Sequence, residues 1–530
     1  MLRKNIKLIT NIKYFIYGSN TKSIILIFAL LTSLCSLFFF IANRTFLIGS
    51  DAFYYMAIAD SLLQSGEFKD ITEIPSIGVK TPQNGVVLIH IVLSLLGISP
   101  KGHIYIIVIL NYALYVSAVY PLYKIGKSVG LKTESYPLLA LISVYLGAWH
   151  IYRINLLAIN DGIFNSLILW TVYLIIEFVQ QIDDSSFSRN NSINFFKKYS
   201  IIFMFVVVSF LFRLNIALVL ISAVLSCFLT KKYKASAMLL VIIGCVVLLF
   251  YLVISSIEIR TFTRTSLSSY YKFIFGAPTF YEIKLQLWKI IPRLLLGIRR
   301  INNPIAISFF MIFPLTMIYY GIRGIIQKSF IQVFIAGICL SGLWFTLNFQ
   351  NARIIWYTIP FIYLIILDHK FTRYLGYIFV LVVFLFSLRF FYWSFQGKIG
   401  RSPSSKLFSY MFDNSISLPI QNQLLLTNRA RHTYFLLNTR SYRVSDPSDG
   451  ILDGKITFPE ELNWDSIISK GSLFVLGDST YINNAYSQVH EMAESNGYDL
   501  ESKPFTPDLD EFEGWALVEL KPIMSCKIEN

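Results

Sequence analysis

Hydrophobic residues in this chain gather into long runs separated by short polar connectors. A bilayer's hydrocarbon core takes about 20 apolar residues per spanning helix. Runs at 23–42, 103–123, 135–150, 161–179, 199–212, 214–230, 237–256, 304–320, 330–347, 354–367 and 374–394 meet or approach that length. They predict about eleven membrane-spanning helices. Val86 to Leu96 is too short to cross and reads as a re-entrant or interfacial helix. Charge supports that choice. If 86–96 does not cross, the basic loop KIGKSVGLK (124–132) falls inside with the Lys-rich N-terminus. If it does cross, the loop falls outside, against the positive-inside bias. The polar stretches at 180–198, 323–328 and 368–373 then form inside loops, and 44–85 and 257–302 form long outer loops. The first run follows Lys4, Lys7 and Lys13 without a small-residue cleavage site, which fits a retained helix rather than a signal peptide.

From about Gln396 the pattern changes. Hydrophobicity falls, and LLLTNR, SYRVSD, GSLFVLGDS and GWALVELK read as short strands bounded by turns. Asp465–Ile468 and Tyr486–Asn496 read as helices. The expected fold is an all-α polytopic membrane domain over 1–395, followed by a small α/β extracytoplasmic domain over 396–530.

Composition agrees with a membrane protein. The chain is 55% hydrophobic and 16% aromatic, with a mean hydropathy of +0.58. Only 15% of it is charged, against about 25% in soluble domains. The net charge of +15 comes mainly from Lys and Arg in short connectors, so no nucleic-acid partner is expected. Cys35, Cys227, Cys245, Cys339 and Cys526 are scattered, with no CxxC or Cys/His pairing to suggest a disulfide framework or a zinc site. No GxxxxGK[ST] or strand-associated GxGxxG is present.

Candidate chemistry collects at the outer ends of the spans. The stretch Leu47 to Phe68 follows the first apolar run, and Asp51 is the first acidic residue of the chain. Tyr54, Tyr55, Ile58, Leu62 and Leu63 recur at helical spacing behind it, predicting an amphipathic helix along the membrane surface. Lys80 closes this outer loop, Arg153 and Asp161 flank the next, Arg213 marks a turn between two apolar runs, and Arg353 starts a late span. Arg293, Arg299 and Arg300 lie in the second long outer loop. Lys80 and Arg353 also fit headgroup snorkelling, and Asp161 after Asn160 also fits a helix cap. Arg213, between FLF and LNIALVLI, needs a polar cavity or an anion. Together, an outward carboxylate among several cations suits chemistry on a lipid-borne phosphate. The cations hold the phosphate, and the carboxylate takes a proton from an incoming hydroxyl or amine.

These segments resemble the GT-C superfamily of polytopic glycosyltransferases. The likeness is to the branch holding protein O-mannosyltransferases and the lipid A aminoarabinose transferase. SDAFYYMAIADSLLQSGEF is similar to that family's acidic, tyrosine-rich juxtamembrane element, and KTPQNGVVLIHIVLSLLGI to its Lys-Pro segment and short helix. RINLLAIND is similar to its second outer acidic site, and NARIIWYTIPFIYLII to its late Arg-Tyr-Pro span. The resemblance implies a polyprenyl-phosphate sugar as donor and a glycan, lipid or protein as acceptor. It implies an inverting transfer at the outer face of a cell membrane, with the C-terminal domain recognising acceptor. Asp51 takes the position of the catalytic base, and Asp161 that of the second acidic residue. Lys80 and Arg353, joined by Arg153 and Arg213, take the donor phosphate, with Tyr54 and Tyr55 positioning the substrates. A donor with one phosphate needs no divalent ion where Lys and Arg suffice, so no metal or other cofactor is expected. Two other readings stay open. One is a transporter or flippase for a lipid-linked saccharide. The other is an oligosaccharide polymerase or ligase, which would use Arg293, Arg299 and Arg300.

Overall fold

The computed structural model describes residues 51–67, 69–71, 73–74, 77–78, 85–131, 136–148, 160–184, 189–213, 215–256, 312–349, 356–395, 403–414, 424–427, 429–437, 440–443, 462–504 and 515–524, with short helical pieces at 33–34, 37–38 and 41–42. Long apolar runs become helices because a helix satisfies every backbone donor and acceptor within its own segment. Among the described residues, Pro100–Val129, Asn160–Ile182 and Thr372–Arg389 are long and apolar enough to cross a membrane. Shorter apolar helices include Gly85–Leu95, Ile216–Leu229, Ile312–Ile326 and Phe330–Trp344. The expected first span at 23–42 lies largely, and the expected outer loop at 257–302 wholly, outside the described residues, whereas 44–85 contains the helix Asp51–Ser65 and three two-residue strands.

Helices run further than hydropathy indicates. The stretch 180–198, expected as a loop, is helical on both sides of 185–188, within Asn160–Asp184 and Arg189–Phe212. The basic stretch at 124–132 is likewise mostly helix, Val119–Val129, ended by Gly130 in the left-handed region at φ 107°. A charged sequence marks where the bilayer ends, but a helix continues into water until something stops it. Gly130 does so in this case, with its N–H bonded to the carbonyls of Gly126 and Lys127.

Contacts divide the chain into two compact units. The first comprises Met1–Phe38, Lys80–Val86 and Ile106–Tyr392. Its interior is aromatic and aliphatic, with Tyr115, Tyr145, Tyr320, Tyr357 and Tyr363 all essentially inaccessible. The Tyr115 hydroxyl donates to the Tyr145 carbonyl, and the Trp170 indole donates to Ser117 Oγ at 3.1 Å.

The second unit joins Phe39–Val79, Val87–Tyr105 and Trp393–Asn530. It therefore draws on chain well ahead of the compositional boundary near 396. At its centre is a six-stranded sheet in the order Glu73–Ile74, Ser441–Arg443, Leu424–Thr427, Leu473–Gly477, Ala516–Met524, Tyr498–Pro504. The first four strands are parallel and the last two pairings antiparallel. Leu424–Thr427 and Leu473–Gly477 are buried along their whole length, as central strands covered on both faces must be. Leu424, Leu426, Leu473, Val475, Val518 and Leu520 pack on Ile467 and on Ile482, Ala485 and Val489. Those partners come from Trp464–Lys470 and Ser479–Ser495, helices capped by Asn463 and Asp478.

Candidate active site

Asp51 opens the helix Asp51–Ser65 in the second unit. A carboxylate in a first helical turn is favoured by the positive end of the helix dipole. The helix is not amphipathic in the way the spacing predicts. Ala52, Phe53, Tyr55, Met56, Ala57, Ile58, Ala59 and Ser61 are buried, while Leu63 is 43% exposed. Small residues at 52, 57 and 59 let neighbours approach on several sides, so burial runs nearly around the helix instead of along one stripe.

One neighbour is the helix Ala430–Leu437. The Phe53 ring stacks on Phe435 at 4.4 Å between centroids and meets His432 edge-on at 5.2 Å. His432 in turn stacks on Phe408 at 4.6 Å. The Tyr434 hydroxyl donates to Asp60 Oδ2 at 3.0 Å. Arg431 completes the contact. Its Nη1 lies 3.9 Å from Asp51 Oδ1, and its guanidinium carbon sits 4.2 Å from the centre of the Tyr54 ring. The Asp51 and Arg431 side chains are 30% and 31% exposed, so both reach solvent. Tyr54, expected to position substrate, carries this arginine; Tyr55 is buried beside it, with its ring centre 5.6 Å away. In the same unit, His90 Nδ1 lies 3.3 Å from His103 Nδ1, both rings inaccessible.

A second polar group forms within the first unit. Arg213 and Asp161 make a buried ion pair through Nη2 and Oδ1. Asn160 Oδ1 accepts the Val86 N–H at 3.1 Å and so caps the Gly85–Leu95 helix. A Cβ on Gly85 would fall 2.5 Å from the Phe212 ring, so only glycine lets these segments meet. Three chain segments thus converge at 85–86, 160–161 and 212–213. Lys80, Arg153 and Arg353 lie outside the described residues, as do Arg293, Arg299 and Arg300. Among the described residues, no three His, Cys, Asp or Glu side chains gather as metal ligands would.

No protein-family model matches the chain, and no curated protein matches it in sequence. Solved structures do match. The apo form of the Archaeoglobus fulgidus oligosaccharyltransferase is similar over 90% of this chain and 72% of its own, at 12% identity and a TM-score of 0.50. The chain has the GT-C fold. The same archaeal enzyme tethered to an acceptor peptide with the NVT sequon matches at 12% identity over 93% of this chain and 74% of its own, TM-score 0.49. ArnT from Cupriavidus metallidurans in the apo state matches at 11% identity over 92% and 98%, TM-score 0.40.

Within this GT-C fold, sequence reasoning missed Arg431. Its signal was present as two arginines and a histidine, RARH at 429–432, where the helix Ala430–Leu437 begins after the strand Leu424–Thr427. Nothing in the local pattern tied that helix start to Asp51, because the contact joins distant parts of the chain.

Proposed function

We propose that this chain is an integral membrane glycosyltransferase. It moves a hexosyl or pentosyl unit from a polyprenyl-phosphate donor to an acceptor, on the extracytoplasmic face of a membrane crossed about eleven times. The observation that carries the reading is Asp51 itself, a solvent-reaching carboxylate at a helix start beside Arg431, in a chain with a GT-C fold. The acceptor oxygen attacks the anomeric carbon and forms the new glycosidic bond. The bond from that carbon to the phosphate oxygen breaks, and its electron pair leaves with the polyprenyl phosphate. Asp51 takes the acceptor's proton. The anomeric centre inverts because attack and departure occupy opposite faces. Lys80, Arg153 and Arg353 are assigned to the donor phosphate, whose negative charge grows as it leaves. Asp161 and Arg213 act as a pair. They lie beside Asn160, whose side chain accepts the Val86 N–H. The soluble sheet faces outward with Asp51 and contributes to acceptor recognition.

The test is turnover of a short-chain polyprenyl-phosphate sugar by purified protein, wild type against Asp51→Asn. Asn keeps the shape and removes the basic oxygen. Loss of a general base typically costs about 10²–10⁴-fold, so kcat should fall by at least about a hundredfold while donor still binds. Near-normal turnover would remove Asp51 from the reaction and make Asp161 the next candidate.

A further inference from the structure

The geometry points to Arg431 as a positioning residue for the base, supplied to the active centre by the C-terminal sheet region. This rests on the reading of Asp51 as the base. Arg431 touches two residues one helical turn apart, Asp51 and Tyr54, which share a face of the Asp51–Ser65 helix. The guanidinium carbon lies 4.2 Å from the Tyr54 ring centre, well inside the roughly 6 Å range of a cation–π contact. A planar, delocalised cation suits that seat; a flexible ammonium fits it less well. The 3.9 Å separation from Asp51 is a charge contact without the roughly 2.8 Å of a charge-assisted hydrogen bond.

The anchorage behind Arg431 is made of several contacts. Phe53 stacks on Phe435 and meets His432, and Tyr434 holds Asp60 further along the same helix. Among the described residues, charged and titratable groups that face the Asp51–Ser65 helix include Arg431, His432 and Tyr434 on the adjoining helix, with His103 electrostatically coupled to Asp60. In an inverting transfer the base and the leaving phosphate lie on opposite sides of the sugar carbon. A cation 3.9 Å from the base therefore belongs to the acceptor's side. Arg431 holds Asp51 in line with the acceptor and, being nearly a third exposed, lies where an acceptor's oxygen-rich surface passes. The C-terminal region is accordingly part of the reaction centre.

The experiment uses the full-length chain in isolated membranes, which carry the cell's own donor and acceptor, with product followed by mass spectrometry. Variants are compared at equal protein level, and unfolding midpoints are measured on the same preparations. Arg431→Ala should lower the initial rate by about tenfold or more, since small misplacements of a reacting group cost that much. Its unfolding midpoint should stay near wild type. Arg431→Lys should recover part of the rate. Added guanidinium ion should partly restore Arg431→Ala and should do nothing for Asp51→Asn. A merely structural arginine would not respond to guanidinium. The inference is overturned if Arg431→Ala works at the wild-type rate while Asp51→Asn is inactive. It is also overturned if the loss follows loss of folded protein and neither Lys nor guanidinium recovers it. If Asp51→Asn keeps the wild-type rate, the reading of the base falls, and the positioning role of Arg431 falls with it.

Discussion

Asp60 shows at the scale of one residue what burial does to a carboxyl group. Desolvation raises its pKa above the usual aspartate value, against the hydrogen bond from Tyr434 and the field of His103, which both lower it. The sign for stability follows. The folded chain holds this proton to higher pH than the unfolded chain does, so Asp60 favours folding at low pH. That contribution fades as pH rises through the raised value, and above it the cost of burying the charge is fully present. Asp60→Asn keeps an oxygen for Tyr434 and removes the charge. Unfolding midpoints taken at about pH 4.5 and pH 7 should therefore depend less on pH in the variant than in wild type; equal pH dependence in the two proteins would refute the assignment. Asp161 is buried too, but in an ion pair with Arg213. Removing one partner of a buried pair strands the other, at a cost of about 3–5 kcal/mol. Asp161→Asn should thus destabilise strongly, although an amide still fills the space. A double change, Asp161→Asn with Arg213→Met, should recover much of that loss in the same unfolding measurement. A double variant no more stable than the single one would show that the site needs the charges for another reason.

At the scale of elements, legibility followed the strength of the pattern. The apolar helices were readable because lipid forces about 20 residues of one character into each span. Helices now seen at Gly85–Leu95, Ile216–Leu229, Phe330–Phe349 and Lys370–Phe395 lie close to their expected places. The helical continuations at 180–184 and 189–198 were not readable, since hydropathy reports the edge of the bilayer and not the end of the helix. Four central strands were read from short apolar runs between turns. Tyr498–Pro504 was missed because it is an edge strand, mostly exposed and carrying Asp499, Glu501 and Lys503. Such charges keep an edge from pairing with other chains, and they also hide it from a hydrophobic pattern. Its register makes sense only with its partner, where Glu501 lies opposite Lys521 and Lys503 opposite Glu519. The same limit applied to the site. Asp51 was marked by its local sequence, whereas Arg431 and the Asp161–Arg213 pair depend on which segments fold together.

At the scale of the molecule, the second unit decides what a fragment of this chain can do. Its sheet has a self-contained core, since every buried residue from Leu424 to Leu520 in that cluster lies in the C-terminal third of the chain. The helix Ala430–Leu437 also leans on something outside that stretch, because Phe435 and His432 pack against Phe53. The edge strand Glu73–Ile74 and the contact from Arg440 Nε to the Ile71 carbonyl at 2.9 Å come from the same earlier segment. Residues 396–530 expressed alone should therefore keep the sheet signature in circular dichroism. They should also expose an apolar aromatic face, of a kind soluble monomers rarely present. That fragment is expected to self-associate in light scattering and to bind a hydrophobic dye. Phe435→Ser, which removes a ring that only the missing helix covers on its Phe53 side, should reduce both effects with little loss of sheet signal. A wild-type fragment that is monodisperse and binds no dye would mean that the Asp51–Ser65 helix is a dispensable cover for the sheet region. In that event the Arg431 contact could not be the fixed link between sheet and base on which its role depends.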